Sequence, residues 1–175
     1  LSQDQADIWD SGKVISNQTN QIVYQGIPLV SATKYYWKVR VWDKSDLIST
    51  WSTPAHWSMG LLKFVNWHGL FIGHDVGYNK ADKYDSLYLP PARYLRKSFN
   101  LNKKIKRATA YTTALGLYEL RLNGNKVGEA NFLPGWTDYN KRLYYQTFDI
   151  TNNLREGENV IGAVIADGWY AGYIG

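Results

Sequence analysis

The sequence contains no cysteine, only one methionine and only five prolines in 175 residues. Without cysteine, disulfide-stapled folds and thiolate metal sites are excluded, while the compartment stays open. No apolar run approaches the roughly 20 residues that a membrane-spanning helix needs, so no membrane span is expected. Hydrophobic residues make up 45% of the chain and charged residues 20%, which excludes an intrinsically disordered protein.

Acidic residues are absent from one long basic stretch. The formal net charge is +5, and residues 93–107 hold seven basic side chains and no acid. Such a run is compatible with nucleic-acid binding. However, its charges alternate with Leu95, Phe99, Leu101 and Ile105, as on a strand–turn–strand with one wet face. We therefore predict a solvated face and no nucleic-acid partner.

Aromatic residues are abundant, with eight Trp and fourteen Tyr, and they favour strands. Residues 34–42 alternate between two faces. One face holds Tyr35, Trp37, Val39 and Val41, and the other holds Tyr36, Lys38, Arg40 and Trp42. The alternation predicts a half-buried strand. Its second face is expected to form a ladder of aromatic and cationic side chains whose charged ends reach water.

Extended segments recur through the second half of the chain. Tyr118, Leu120 and Leu122 alternate with polar neighbours, and Asn123-Gly124 predicts a tight turn because both residues tolerate positive φ. Residues 159–165 are apolar on both faces, as in a central strand. No window shows helical periodicity, so the predicted fold class is all-β, with a sandwich architecture.

The chain is predicted to contain two modules, residues 1–60 and 61–175. The apolar, glycine-bracketed run 67–73 is expected to open a new sheet, which places the boundary near Gly60. Residues 141–150 form a further extended run in the second module. The last stretch before Gly175 carries no terminating signal, so we expect a fragment of a longer protein.

Several stretches resemble one enzyme family, the bacterial α-L-rhamnosidases of glycoside hydrolase family 78. IWDSGK (8–13) and YYWKVRVWD (35–43), with Trp51-Ser52, resemble the family's fibronectin-type-III-like module. GLYELRLNGNKVG (116–128), PGWTDYNKR (134–142) and DGWYAG (167–172) resemble its N-terminal jelly-roll domain. The resemblance implies a fibronectin-III-like sandwich that lacks its first strands, followed by a carbohydrate-binding-type jelly roll that is incomplete at its end.

The resemblance implies a parent enzyme that hydrolyses terminal α-L-rhamnosides with inversion. Rhamnose-containing glycans or glycosides would be its substrates, and a periplasmic or extracellular location is favoured over the cytoplasm. The family's catalytic (α/α)₆ barrel lies downstream, so no catalytic residue is assigned to this chain. Asp149, Glu156 and Glu158 fit turns rather than the acid–base pair that glycoside hydrolysis needs. The alternative is a carbohydrate-binding or adhesion module of a cell-surface protein without catalysis.

Two loops combine aromatic rings with a carboxylate and are the candidate carbohydrate-binding sites. They contain Trp136, Asp138 and Tyr139, and Asp167, Trp169 and Tyr170. An aromatic face beside a carboxylate suits an amphipathic sugar. The alternative is that these rings anchor the loops on the adjoining catalytic or linker domain, with each aspartate capping a turn.

No cofactor or metal site is assigned. Some members of the family carry a calcium-assisted rhamnose site in a related β-domain, and the oxygen-rich residues 123–125 are the place where this chain would supply calcium ligands.

Overall fold

The computed structural model describes residues 6–73 and 91–171. It divides into two compact units, Leu1–Gly69 and Leu70–Gly175, so the break follows Gly69, whereas the sequence suggests Gly60. Within the described residues, no helix has the length and apolar character that membrane crossing requires.

The first unit contains a two-stranded antiparallel sheet, β1 (Lys34–Trp37) and β2 (Ala55–Ser58), followed by one 3₁₀ turn at Phe64–Asn66. Tyr35 lies opposite Trp57 in this register, and their rings stack with centroids 5.7 Å apart. Cross-strand aromatic pairs of this kind stabilise short sheets.

The predicted strand 34–42 is wrong in length, because β1 ends at Trp37. Beyond it, the backbone N–H groups of Val39 and Val41 donate to the hydroxyls of Ser52 (3.1 Å) and Ser49 (3.0 Å) instead of to carbonyls. The carbonyls of Val39 and Val41 accept from the backbone N–H groups of Ser52 (2.8 Å) and Ser49 (2.9 Å). The segment therefore stays extended, but two serine side chains replace half of a regular ladder.

The predicted ladder of aromatic and cationic side chains is confirmed. The guanidinium carbon of Arg40 lies 4.4 Å from the Trp51 ring centroid and 5.3 Å from that of Trp42. Lys38 Nζ covers Trp51 at 4.5 Å, and Lys13 Nζ lies 5.6 Å from the Trp42 centroid. Each such contact contributes about 0.5–1 kcal/mol at an exposed site.

The sequence predicts a half-buried strand, with the Trp37, Val39 and Val41 face buried, but this face is not buried. Trp37, Val39 and Val41 are 48%, 50% and 63% exposed. Among the described residues this sheet has only two strands, too few to bury a whole face, so alternation alone did not bury it.

The second unit is a two-layer β-structure. Its elements are β3 (Arg93–Leu101), β4 (Thr109–Thr112), β5 (Leu117–Leu122), β6 (Asn125–Lys126), β7 (Gln146–Asp149), β8 (Gly157–Ala166) and the short helix α1 (Gly168–Ala171). Four strands form an antiparallel sheet in the order β3-β8-β5-β6, and β4 pairs with β7. The central position predicted for residues 159–165 is confirmed, since β8 lies between β3 and β5.

The core lies between these two sheets. Tyr118, Leu120 and Leu122 are buried, as their alternation predicts, and Phe148 of β7 packs against them from the other layer. The all-β sandwich class is therefore confirmed. The tight turn is confirmed as well: Asn123 (φ 50°) and Gly124 (φ 85°) connect β5 to β6.

Three local expectations need correction. Residues 67–73 form no strand, because the Trp67 indole N–H donates to Gly69 O at 2.9 Å and closes a local loop. In the run 141–150, only Gln146–Asp149 is a strand, since the N–H groups of Lys141 and Arg142 turn back to Asp138 O. Helix α1 is too short for any periodic signal.

Asn159 of β8 is the fully buried polar side chain of this unit. Its amide nitrogen donates to Arg155 O (2.7 Å) and Gly157 O (2.9 Å). Its amide oxygen accepts from Arg155 N (3.0 Å) and from the side-chain amide of Asn123 (2.9 Å). Asn123 in turn donates to Asn153 O and accepts from Val160 N. All four of the hydrogen bonds an asparagine side chain commonly makes are satisfied.

We expect Asn159→Ala to lower the free energy of unfolding of the second unit by about 3 kcal/mol, because it orphans several buried donors and acceptors at once. Urea denaturation followed by circular dichroism measures the loss. Asn100→Ala, at an exposed position of β3, is the matched control and should leave the midpoint unchanged. Equal midpoints for the two variants would contradict the assigned role.

Candidate functional site

The two candidate loops meet in the second unit through their aromatic rings. Trp136 and Trp169 are nearly parallel, with an interplanar angle of 11° and centroids 6.5 Å apart. Tyr139 and Tyr170 meet edge to face, with centroids 5.4 Å apart. We call these four rings the aromatic platform. The structure thus brings together four of the six candidate residues by direct ring contact.

The first loop is positioned by a hydrogen-bond relay from the core. The Tyr118 hydroxyl donates to Gln146 Oε1 (2.9 Å), and Gln146 Nε2 donates to Pro134 O (3.2 Å). The Tyr118 N–H also donates to Leu133 O (2.8 Å), which attaches the loop to β5. Gly135 then adopts a left-handed conformation (φ 96°), which L side chains rarely adopt, directly before Trp136.

Asp138 stabilises the turn that follows. Its backbone carbonyl accepts from the N–H groups of Lys141 and Arg142, each at 2.9 Å. Its carboxylate accepts from Asn140 N (3.2 Å) and lies 3.2 Å from Lys141 Nζ. This carboxylate is therefore engaged as a turn cap, which agrees with the structural alternative for Asp138.

The second loop turns directly out of the central strand. Gly168 has φ 50°, and a Cβ atom built there would lie 2.6 Å from Leu117 Cγ, so only glycine fits. The Asp167 carbonyl accepts from Tyr170 N (3.1 Å) and Ala171 N (3.5 Å), forming the single turn of α1. This turn presents Trp169 and Tyr170 side by side.

The platform is largely open to solvent. Trp136 is 60% exposed, Tyr170 52% and Trp169 40%. Two further exposed aromatic residues were missed by the sequence analysis, Phe132 and Tyr144. Tyr144 packs under the Arg142 guanidinium at 5.3 Å from its ring centroid. Tyr144 lies in the run 141–150 that was predicted to be a strand. Its closeness in sequence to the loop motif 134–142 was the one signal that could have singled it out.

The spacing of the two tryptophans limits what they bind. A sugar ring held between two aromatic faces needs about 7–8 Å, twice the usual contact distance between carbon atoms. The separation of 6.5 Å is too small for that arrangement. A sugar would therefore stack on the exposed side of Trp136, outside the pair of tryptophans.

The hydroxyl of Tyr139 is buried and has no hydrogen-bond partner among the described residues. A buried hydroxyl without a partner costs about 1–3 kcal/mol. Its position at the contact with Tyr170 places this cost inside the platform. The described residues therefore leave this hydroxyl unsatisfied beneath the exposed rings of the platform.

The Asn123 side chain is already engaged in hydrogen bonds and is not free to bind calcium. The Asn123 amide oxygen accepts from Val160 N (2.9 Å), and its nitrogen donates to Asn153 O (2.8 Å) and Asn159 Oδ1 (2.9 Å). A calcium ligand at Asn123 would disrupt this network. Across residues 6–73 and 91–171, no three His, Asp or Glu side chains lie close enough together to hold a metal ion.

Two family models match the chain. The model described as "Rha78A-like, N-terminal immunoglobulin domain" matches residues 1–63, and the "Alpha-L-rhamnosidase N-terminal domain" matches residues 103–175. Immunoglobulin-like and fibronectin-III-like domains share the sandwich architecture. The two matches coincide with parts of the two structural units.

Individual proteins agree with the family models. An α-L-rhamnosidase of Formosa agariphila is 38% identical over 183 residues and is matched by 97% of this chain. One of Alteromonas sp. (strain LOR) is 38% identical and is matched by 96%. The solved α-L-rhamnosidase of Dictyoglumus thermophilum is 39% identical, with a TM-score of 0.81 over 94% of this chain. The chain spans only 18–19% of the length of these relatives.

The relay that positions the first loop gives a pH prediction. Burial raises the pKa of Tyr118 above its ordinary value of 10.0, although the hydrogen bond with Thr112 opposes the shift. Because the pKa of Tyr118 is higher in the folded state, this residue's contribution to the free energy of unfolding is fully present below pH 10. That contribution is lost as the pH rises through the folded pKa. Tyr118→Phe should therefore lose less stability than wild type between about pH 9 and pH 11.

Thermal midpoints across this pH range measure the difference. Asn100→Ala, at an exposed and non-titrating position of β3, is the control and should keep the wild-type slope. At neutral pH, Tyr118→Phe should cost about 1–2 kcal/mol through its lost hydrogen bonds. Identical slopes for wild type and Tyr118→Phe would show that Tyr118 does not carry the dependence.

Proposed function

Because the chain belongs to the family of α-L-rhamnosidase N-terminal domains, we propose that it is the non-catalytic β-domain region of a glycoside hydrolase that cleaves terminal α-L-rhamnosides with inversion. The observation that supports this most is that both family matches and the similarity over 97% of this chain point to the same enzyme family. Rhamnose-containing glycosides are the substrates that we propose for the whole protein.

A scaffold role agrees with the contacts of three acidic side chains, which form ion pairs or cap turns. Asp138 pairs with Lys141, and Glu119 lies 2.8 Å from Arg121. Asp149 accepts from the backbone and hydroxyl of Thr151. Inverting hydrolysis needs two carboxylates separated by about 6.5–9.5 Å across a water and a sugar. Acids engaged in turns and ion pairs do not supply such a pair.

We propose that the aromatic platform packs against the part of the polypeptide that carries the catalytic domain. Its rings are exposed and contiguous, and large exposed apolar patches mark interaction surfaces. Their spacing excludes a sandwiched sugar, and the Tyr139 hydroxyl is buried without a described partner. Exposed aromatic rings that cannot enclose a sugar between them suit docking of another polypeptide segment.

Rhamnose binding at the platform is the second candidate. Trp136 is 60% exposed and lies in the same loop as the Asp138 carboxylate. Aromatic stacking plus a carboxylate acceptor suits a deoxysugar, which has an apolar face and several hydroxyls. This candidate predicts weak binding, because the surface is open on its outer side.

The proposed activity predicts hydrolysis of aryl α-L-rhamnosides by the polypeptide that contains this chain. The first product should be the β-anomer of L-rhamnose, because inversion occurs in a single displacement. Proton NMR within the first minutes of reaction distinguishes the anomers. Cleavage of a different glycoside in preference to rhamnosides would contradict the proposed substrate, and an initial α-anomer would contradict inversion.

The docking proposal predicts a context-dependent effect of the double variant Trp136→Ala/Trp169→Ala. In the polypeptide with its catalytic region, the thermal midpoint should fall by several degrees, because an aromatic interface is lost. In the 175-residue chain alone, the same double variant should have a much smaller effect, since these rings are exposed there. Tyr94→Ala, another exposed ring of the same unit, is the matched control and should change neither.

Calorimetry of the 175-residue chain with L-rhamnose separates the two candidates. Heat of binding in wild type that disappears in Trp136→Ala would contradict docking as the platform's role and support sugar binding. The absence of heat above the dilution blank, together with the expected fall in midpoint, supports docking.

A further inference from the structure

The second unit also contains an open depression that shares no residue with the aromatic platform. Its volume is about 460 Å³, and it lies between the loop after β3 and residues 151–156. Ile105 and Leu154 supply its apolar lining, and both are partly buried. Lys104 and Arg155 supply two cations, and Asn152 supplies an exposed amide. Thr151 and the carboxylate of Glu156 complete the lining, so the lining side chains carry a net charge of +1.

Backbone hydrogen bonds hold the two sides of the depression together. Ala108 N donates to the Thr151 hydroxyl (2.9 Å), and Ile150 N donates to Ala108 O (3.0 Å). Thr151 is fixed in turn, because its hydroxyl and N–H donate to Asp149 Oδ1 at 2.6 and 3.0 Å. The walls of the depression are therefore present before any ligand arrives, which lowers the entropic cost of binding.

Arg155 is held in a defined orientation. Its N–H donates to the buried amide oxygen of Asn159 (3.0 Å), and its Nε donates to Glu158 O (3.0 Å). No described residue accepts a hydrogen bond from its two terminal amino groups. These groups are the part of a guanidinium that binds a carboxylate in bidentate fashion.

The neighbouring charges favour an anion. Lys103, Lys104, Lys106 and Arg107 are exposed, and none forms an ion pair with a described residue. Together with Arg155 they outnumber the nearby acids, which are Asp149, Glu156 and Glu158. Exposed cations around a concave surface raise the local concentration of anions.

We propose that this depression binds a hexuronate residue of an acidic polysaccharide. Arg155 and Lys104 bind the sugar carboxylate, Ile105 and Leu154 contact the apolar face of the ring, and Asn152 hydrogen-bonds a hydroxyl. Among the described residues, none of the lining side chains is aromatic, so neither a nucleic-acid base nor a sugar ring stacks on an aromatic face there. The apolar contact with the sugar ring falls to Ile105 and Leu154. This assignment does not depend on the activity proposed for the whole protein.

Calorimetry of the 175-residue chain at low ionic strength tests the proposal, with trigalacturonate as the probe and neutral maltotriose as its control. Trigalacturonate should bind, and maltotriose should not. Lys104→Ala/Arg155→Ala should weaken trigalacturonate binding by at least about tenfold, because two charge-assisted contacts are lost. Binding by wild type should also fall as salt is added.

Two further variants keep the test sharp. Lys44→Ala/Lys63→Ala removes the same charge at exposed positions of the first unit and should leave binding unchanged. Lys104→Glu alters one exposed side chain that makes no hydrogen bond within the described residues, so it separates lost binding from lost folding. It should weaken binding more than Lys104→Ala does, because it adds repulsion.

Three outcomes would overturn the proposal. The first is no binding of trigalacturonate by wild type. The second is equal weakening in the first-unit control pair, which would mean that net charge alone is sensed. The third is tighter binding of a single-stranded DNA oligonucleotide of equal charge with the same dependence on Lys104 and Arg155, which would make the depression a nucleic-acid site.

Discussion

The side chain of Asn159 makes four hydrogen bonds inside the second unit, and the β5–β6 turn and the position of Arg155 depend on them. Through Asn123 it fixes the turn between β5 and β6. Through the backbone of Arg155 it fixes the residue whose guanidinium faces the depression. A buried amide is costly unless all of its hydrogen bonds are made, so the segments that bond to Asn159 favour this one arrangement.

The aromatic platform depends on a second constraint, the ends of two core strands. The first loop is attached to β5 and β7 by hydrogen bonds from Tyr118 to Gln146 and from Gln146 to the Pro134 carbonyl. The other leaves the central strand β8 at Gly168. Because both supports are part of the sheet layers, the tryptophans are placed by rigid elements rather than by their own contact. Such support keeps an exposed surface preorganised for a partner.

The sequence predicted those parts in which one local pattern determines the outcome. The buried row Tyr118–Leu120–Leu122 and the Asn123-Gly124 turn followed from period-2 alternation and positive φ. Alternation failed at Val39 and Val41, since burial needs a covering layer that a strand's own residues do not encode. The meeting of Trp136 with Trp169 was likewise invisible, because 33 positions separate them and only sheet topology joins them.

The platform and the depression lie beyond opposite ends of the same strand. Residues 154–156 precede β8, and Trp169 and Tyr170 follow it. Ten residues of β-strand span about 30 Å, and no residue is shared between the two surfaces. Substitutions that far apart should act additively. Because the aromatic platform and the proposed anion site share no residue, we expect binding at one to leave the other free.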